Sequence, residues 1–273
     1  MRAWFQGLNL GKSPDVTVAS YLELEFVMSE SNLRKSVLAA QNNADLCAAV
    51  FAAHGLAVRR DENALVCTGT PPPLYPKAVT LRPGLGAGPF RSENMAAQSA
   101  FAVKDSFADL PLGQLSAVTL FSATWIWKEA SAEETSAPWK RIATKEGLTR
   151  WEAAWSASNV QSETPMFPAS LLDNTNIAFF GQEGKEGFRA GCIANQSSEV
   201  VGVSNVFGPT NNHSVVDAAI RCTECFGTGR PIVGYETHED ARSFVDLGFE
   251  KSGNLRVLLV DQNMQSDQAR VSM

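Results

Sequence analysis

The sequence predicts an α/β protein built on one mixed, mostly antiparallel sheet flanked by helices. Three observations carry this expectation. Segments 177–180, 188–193 and 200–207 have strand character and are separated by short polar turns, which reads as a three-strand meander. The strands that follow alternate with two segments of helical spacing, each opened by a capping signal, at Ser214 to Asp217 and at Thr237 to Asp240. The composition, 44% hydrophobic and 19% charged with 20 Gly and 13 Pro in 273 residues, belongs to a globular chain able to bury a sizeable core.

From the N-terminus, the first patterned segment is 35–57. Val37, Leu38, Ala44, Leu46, Cys47, Val50 and Phe51 recur at helical spacings, and Gly55 supplies a stop. Residues 56–60 and 64–68 flank the turn-forming Asp61, Glu62 and Asn63, the pattern of an antiparallel hairpin. The proline-rich run 69–76 is a rigid extended loop, because each proline fixes φ and removes an amide donor, and it leads into a strand at 78–81. Segment 83–111 reads as a linker, glycine-rich at first and then helically spaced over 92–109. This predicts two units, an N-terminal half over 1–110 and a C-terminal domain over 111–273.

In the second unit, 117–127 is β-rich, and 133–158 reads as a helix that Gly147 divides, with Trp139, Ile142, Leu148, Trp151, Ala154 and Trp155 partly on one face. After the meander, Val215, Val216, Ala219, Ile220 and Cys222 mark the buried face of a helix that Gly227 and Gly229 end. Residues 231–235 form a strand, 237–248 a short helix stopped by Gly248, and 255–260 the last strand.

Several function classes fall away on these grounds. The balance of 23 Lys+Arg against 29 Asp+Glu, a net charge of −6, offers no broad basic field for a phosphate backbone, so no nucleic-acid partner is expected. No run approaches the roughly 18 apolar residues of a membrane helix, and residues 1–9 lack the apolar core of a secretory signal, so the expected location is the cytoplasm and no membrane partner is expected. Five scattered cysteines fit reduced thiols in that compartment. Cys222 and Cys225 form a CxxC inside a helix with no second pair, which reads as one residue facing the core rather than as a zinc site. His54, His213 and His238 lie in separate elements, so no metal is expected. The six Trp read as core packing, with an aromatic pocket as the other reading. A Gly-x-Ser-x-Gly elbow, a Walker A loop and a dinucleotide fingerprint are all absent from the sequence.

The order strand, strand, strand, helix, strand, helix ending in Gly-Phe, strand resembles the C-terminal core of the GNAT acyltransferase superfamily. The residues that carry it are Asp246-Leu-Gly-Phe249 and Gly253-Asn-Leu-Arg-Val257, preceded by the strand Pro231 to Tyr235. The likeness covers 117–260 by element order and 175–260 in motif detail. Gly69-Thr-Pro-Pro-Pro-Leu-Tyr-Pro76 is similar to a Gly-x-Pro-x-Pro-type loop in tandem or atypical members, which makes the front half look like a degenerate copy; an ordinary proline-rich surface loop is the other reading.

The resemblance implies an acyl-CoA-dependent N-acyltransferase that uses acetyl-CoA and acts on the amine of a small molecule or peptide. It implies a thioester held along 200–207, beside Val203, Ser204, Asn205 and Val206, with the oxyanion on a backbone amide near Val206. It also implies a CoA pyrophosphate at the start of the following helix, where Asn211, Asn212, His213 and Ser214 can donate hydrogen bonds.

Two features depart from the family. The loop Phe207-Gly-Pro-Thr-Asn-Asn-His-Ser214 lacks the usual later glycines and basic residue, and Phe244 stands where many members place a tyrosine general acid. The nearest substitutes are Tyr235 as acid and Glu236 as base. The departures keep a second class open, a catalytically inactive GNAT-like ligand-binding or protein-interaction module.

Overall fold

The computed structural model describes residues 18–91, 95, 100–131, 136–157, 164–209 and 213–261, with side chains of the first helix described from residue 30. In chain order the strands are β1 (Val58–Arg60), β2 (Ala64–Cys67), β3 (Ala78–Thr80), β4 (Phe101–Asp105), β5 (Ala117–Lys128), β6 (Lys140–Arg141), β7 (Ile177–Glu183), β8 (Phe188–Gln196), β9 (Val201–Phe207), β10 (Ile232–Glu236) and β11 (Glu250–Val260). The helices are α1 (Val18–Ala53), α2 (Lys145–Ala157), α3 (His213–Phe226) and α4 (Ala241–Val245).

All eleven strands join one sheet in the order β1-β2-β3-β4-β11-β5-β10-β9-β8-β7-β6. The two flanks repeat one pattern. On one side β1, β2 and β3 pair antiparallel and β3 runs parallel to β4; on the other β7, β8 and β9 pair antiparallel and β9 runs parallel to β10. The two long strands between them cross over. β5 follows β4 in sequence yet pairs with β10, while β11 follows β10 yet pairs with β4, and the two pair with each other.

Alternation along the strands sends successive side chains to opposite faces and so divides the core. Ile126, Ala178, Phe180, Cys192, Ala194, Val201 and Ile232 pack under α3 and α4. Their neighbours Ile177, Phe179 and Ile193 pack with α1 and α2, and Trp125, Trp127 and Val233 pack with α1. Along α1 the buried residues Ser36, Ala39, Ala40, Ala44, Cys47, Val50 and Phe51 recur every three or four positions, the stripe a helix needs to lie across a sheet. Its small alanines let the backbone come close to the central strands. The helix ends as the sequence predicts, with Gly55 at φ +72° and the Leu56 amide donating 2.9 Å to the Phe51 carbonyl, the bond of a Schellman-type cap.

The meander, the hairpin and α3 fall where their patterns place them, and three expectations need correction. The first helix begins at Val18, well before residue 35. Within 83–111, expected as a linker with helical spacing, Phe101–Asp105 is instead a strand near the middle of the sheet, held by β3 and β11. Its period is hidden because Lys104 and Asp105 are both buried charges; Asp105 accepts 2.8 Å from the Arg256 Nε and caps the amides of Asp109 and Leu110. The third correction concerns 133–158, of which 133–135 and 158 lie outside the described residues; among the rest the helix starts only at Lys145. Residues 140–141 form β6, and Gly147 lies in the first turn, its amide bonded 3.0 Å to the Thr144 Oγ1, so it does not divide the helix.

Candidate active site

The parallel pairing of β9 and β10 is short. It holds at Val201 with Ile232 and at Gly202 with Val233, and then the two strands part. Past that point β10 stays paired to β5, through Gly234 with Ile126, Tyr235 with Trp125 and Glu236 with Thr124. β9 stays paired to β8, so the sheet opens between two firmly held walls. A bulge bends β9 away: between its pairs Ser204 with Ile193 and Phe207 with Gly191, three steps on β9 match two on β8. Asn205 sits in the bulge at φ +52°, a left-handed conformation that asparagine tolerates better than most side chains. Strained backbone of this kind is found at functional sites more than elsewhere.

The opening leads to a cavity of about 360 Å³ on the α1 side of the sheet. Val203, Ser204, Asn205, Val206, Tyr235 and Glu236 all line it, so the residues expected along the two strands come together in one place. The remaining walls include Asn43 and Cys47 of α1, Leu74 and Tyr75 of the proline-rich loop, Lys104 of β4, Trp125 of β5 and Trp155 of α2. Two glycines keep space at the parting point. A Cβ on Gly234 would lie 2.9 Å from the Val203 carbonyl oxygen. A Cβ on Gly202 would overlap the Asn42 Oδ1, where Asn42 and Asn195 exchange amide-to-carbonyl bonds of 3.0 Å and tie α1 to β8.

Burial sets the charge state of this cavity. It pushes the half-buried Glu236 carboxyl up to about 8, with the nearby Asp240 carboxylate adding to the effect. Burial also raises the Cys47 thiol, against the pull of Lys104, and lifts the Tyr75 phenol well above the usual tyrosine range. Tyr235 is fixed by two neighbours: Trp125 meets it edge-on at 5.6 Å, and the Lys104 ammonium lies 4.1 Å from its ring centroid. The Asn205 side chain donates 3.2 Å to the Ser204 hydroxyl.

His213 and Ser214 open α3 and are exposed, and neither lines this cavity. Asn211 and Asn212 lie outside the described residues. Phe244 is buried in the core and packs edge-on to Phe249 at 5.4 Å, so it has no role as a proton donor. Cys222 is buried and Cys225 exposed on α3, as expected for a CxxC that serves packing. Among the described residues no three His, Cys, Asp or Glu side chains cluster as a metal site would require, and no helix is long and apolar enough to cross a membrane. The five tryptophans from Trp125 to Trp155 are all core residues, and two of them, Trp125 and Trp155, also wall the cavity. The sequence reading missed Asn43, Cys47, Tyr75 and Lys104; the signal for Lys104 was a lone cation inside the otherwise strand-like run 101–105.

A GCN5-related N-acetyltransferase from Kribbella flavida superposes with a TM-score of 0.55 at 13% identity, covering 81% of this chain and 95% of that one. A putative acetyltransferase of the GNAT family from Novosphingobium aromaticivorans gives a TM-score of 0.51 at 14% identity, covering 75% of this chain and 91% of that one. The fold is that of the GNAT acetyltransferases. No protein-family model matches the chain, and no curated protein matches it in sequence. The GNAT fold is therefore carried by strand order and the parted strands far more than by residue identity. The expected mixed, mostly antiparallel sheet flanked by helices is the sheet observed.

Proposed function

We propose that this chain is an acyl-CoA-dependent N-acyltransferase that moves an acetyl group from acetyl-CoA to the amine of a small molecule or peptide. The observation that carries this reading is a carboxyl held near 8, Glu236, at the point where β9 and β10 part. A base that is half ionised near pH 8 is far better matched to removing a proton from an amine than an ordinary glutamate. The fit of the thioester rests on the parting itself. Glycines at 202 and 234 leave a narrow opening, and the bulge at Asn205 takes backbone groups of β9 off the ladder.

In this reading Glu236 takes the amine proton as the amine nitrogen forms its bond to the thioester carbonyl carbon. A backbone amide near Val206 donates to the oxygen that gains negative charge. Tyr235 gives its phenolic proton to the leaving thiolate as the C–S bond breaks, and solvent returns the proton from Glu236 to Tyr235 between turnovers. The products are an amide and free CoA thiol. The start of α3 at His213 and Ser214, with Asn211 and Asn212 just before it in sequence, is the proposed seat of the CoA phosphates. The chain is proposed as two related halves, 1–110 and 111–273, a reading supported by the repeated pairing pattern on the two flanks.

The test is release of CoA thiol from acetyl-CoA in the presence of amine acceptors, followed across pH. Glu236→Gln should lower kcat by about 10²- to 10⁴-fold, with a smaller loss for Tyr235→Phe, in folded protein. The core position of Phe244 favours a second reading, a GNAT-fold module that binds its ligand without chemistry. Saturable acetyl-CoA binding with no thiol release for any acceptor would decide for that reading.

A further inference from the structure

Lys104 is a buried cation with no acidic partner among the described residues. Its residue is 4% exposed, and the ammonium donates 2.8 Å to the Asn43 Oδ1 and lies over the Tyr235 ring. Among the described residues no carboxylate lies within 4.0 Å of it, whereas its neighbour Asp105 is matched by Arg256 and the half-buried Lys128 by Glu224. Taking an ammonium out of water costs several kcal/mol unless a counter-charge and hydrogen bonds replace its hydration, and one amide oxygen with one ring face replaces only part of that.

The surroundings point to what supplies the rest. The cavity's ionisable walls are Cys47, Tyr75, Lys104, Tyr235 and Glu236. Burial holds the Cys47 thiol and the Tyr75 phenol protonated, and Glu236 is mostly uncharged at neutral pH. Among the cavity's described walls the formal charge at neutral pH is thus that of Lys104, in a protein whose overall charge is −6. Its volume, about 360 Å³, is at the small end of ligand pockets, which span about 300 to 1,000 Å³.

We infer that Lys104 is an anion subsite and that the acceptor is a small molecule carrying both an amine and a carboxylate, of the free amino acid class. The carboxylate pairs with Lys104, beside Asn43, and this pairing turns the amine toward the parting of β9 and β10. The fate of the amine rests on the acyl-transfer reading, whereas the binding of the carboxylate does not.

The experiment measures the thermal shift and calorimetric affinity of the full chain with the common free α-amino acids, each beside its own carboxamide. At least one amino acid should stabilise the wild type while its carboxamide does not. Lys104→Met should weaken that amino acid at least about tenfold, and Lys104→Arg should recover part of the loss. Should Lys104→Met fail to fold, the carboxylate-to-carboxamide contrast in the wild type and Lys104→Arg decides. Equal binding of carboxamide and carboxylate, unchanged affinity in folded Lys104→Met, or no response to any of the amino acids would overturn the inference. A parallel assay of CoA thiol release separates the two readings. Carboxylate-selective binding without thiol release leaves the subsite standing and removes acyl transfer. Thiol release that is as fast with amines lacking a carboxylate leaves acyl transfer standing and removes the subsite.

Discussion

Glu236→Gln offers a test of the site that needs no substrate. The substitution keeps the shape of the side chain and removes its titration. In the folded protein the carboxyl titrates at about 8 against an ordinary 4.5, because burial disfavours the charged form and Asp240 repels it. The substitution leaves the cavity's other ionisable walls, Cys47, Tyr75, Lys104 and Tyr235, in place. A raised carboxyl value means that the folded chain keeps a proton which the unfolded chain releases. The stability it confers is fully present below about pH 4.5 and is lost as pH rises through about 8. At about 1.4 kcal/mol per pH unit, that interval sets a ceiling of about 5 kcal/mol, and the solvent access of a half-buried side chain brings the expected loss to about 2–3 kcal/mol. The assay is urea unfolding of both proteins from about pH 5 to about pH 9, read as the difference between them so that all other titrations cancel. The wild type should lose about 2–3 kcal/mol more than the variant over that span. Parallel curves would refute the burial argument and with it the base assigned here.

Asp105 is fully buried against Arg256, so Asp105→Asn should lower stability by about 3–5 kcal/mol in denaturant unfolding, because it leaves a guanidinium without its counter-charge. Gly234→Val places side-chain atoms where even a Cβ comes within 2.9 Å of the Val203 carbonyl oxygen. It should cost about 1–3 kcal/mol of stability and weaken acetyl-CoA at least about tenfold by calorimetry, while the circular dichroism spectrum stays that of the wild type.

The parts of the fold that are plain in the sequence are those whose pattern is local. The strands β7 to β9 are short, largely apolar runs between polar turns, and the sequence around α3 and α4 carries capping signals and glycine stops. β4 is opaque because it ends in Lys104-Asp105, one charge lining the cavity and the other in a buried ion pair with a strand some 150 residues on. The start of α2 is misplaced because Trp139 and Ile142, spaced like a helix stripe, belong to β6 and its flanks, where they fill the cores on opposite faces of the sheet. The candidate site divides the same way. Its β9 and β10 wall follows from element order, whereas the wall made by α1, Tyr75 and Lys104 depends on long-range pairing, with β11 returning to β4, and no local pattern encodes that return.

Hydrogen–deuterium exchange of the full chain with and without saturating acetyl-CoA tests most directly whether the parting of β9 and β10 receives the thioester. The account predicts slowed exchange concentrated in peptides spanning 201–207 and 232–236, together with the first turn of α3, and smaller effects along β1 to β3. Saturable acetyl-CoA binding that leaves the amides of 201–207 and 232–236 unprotected would contradict it.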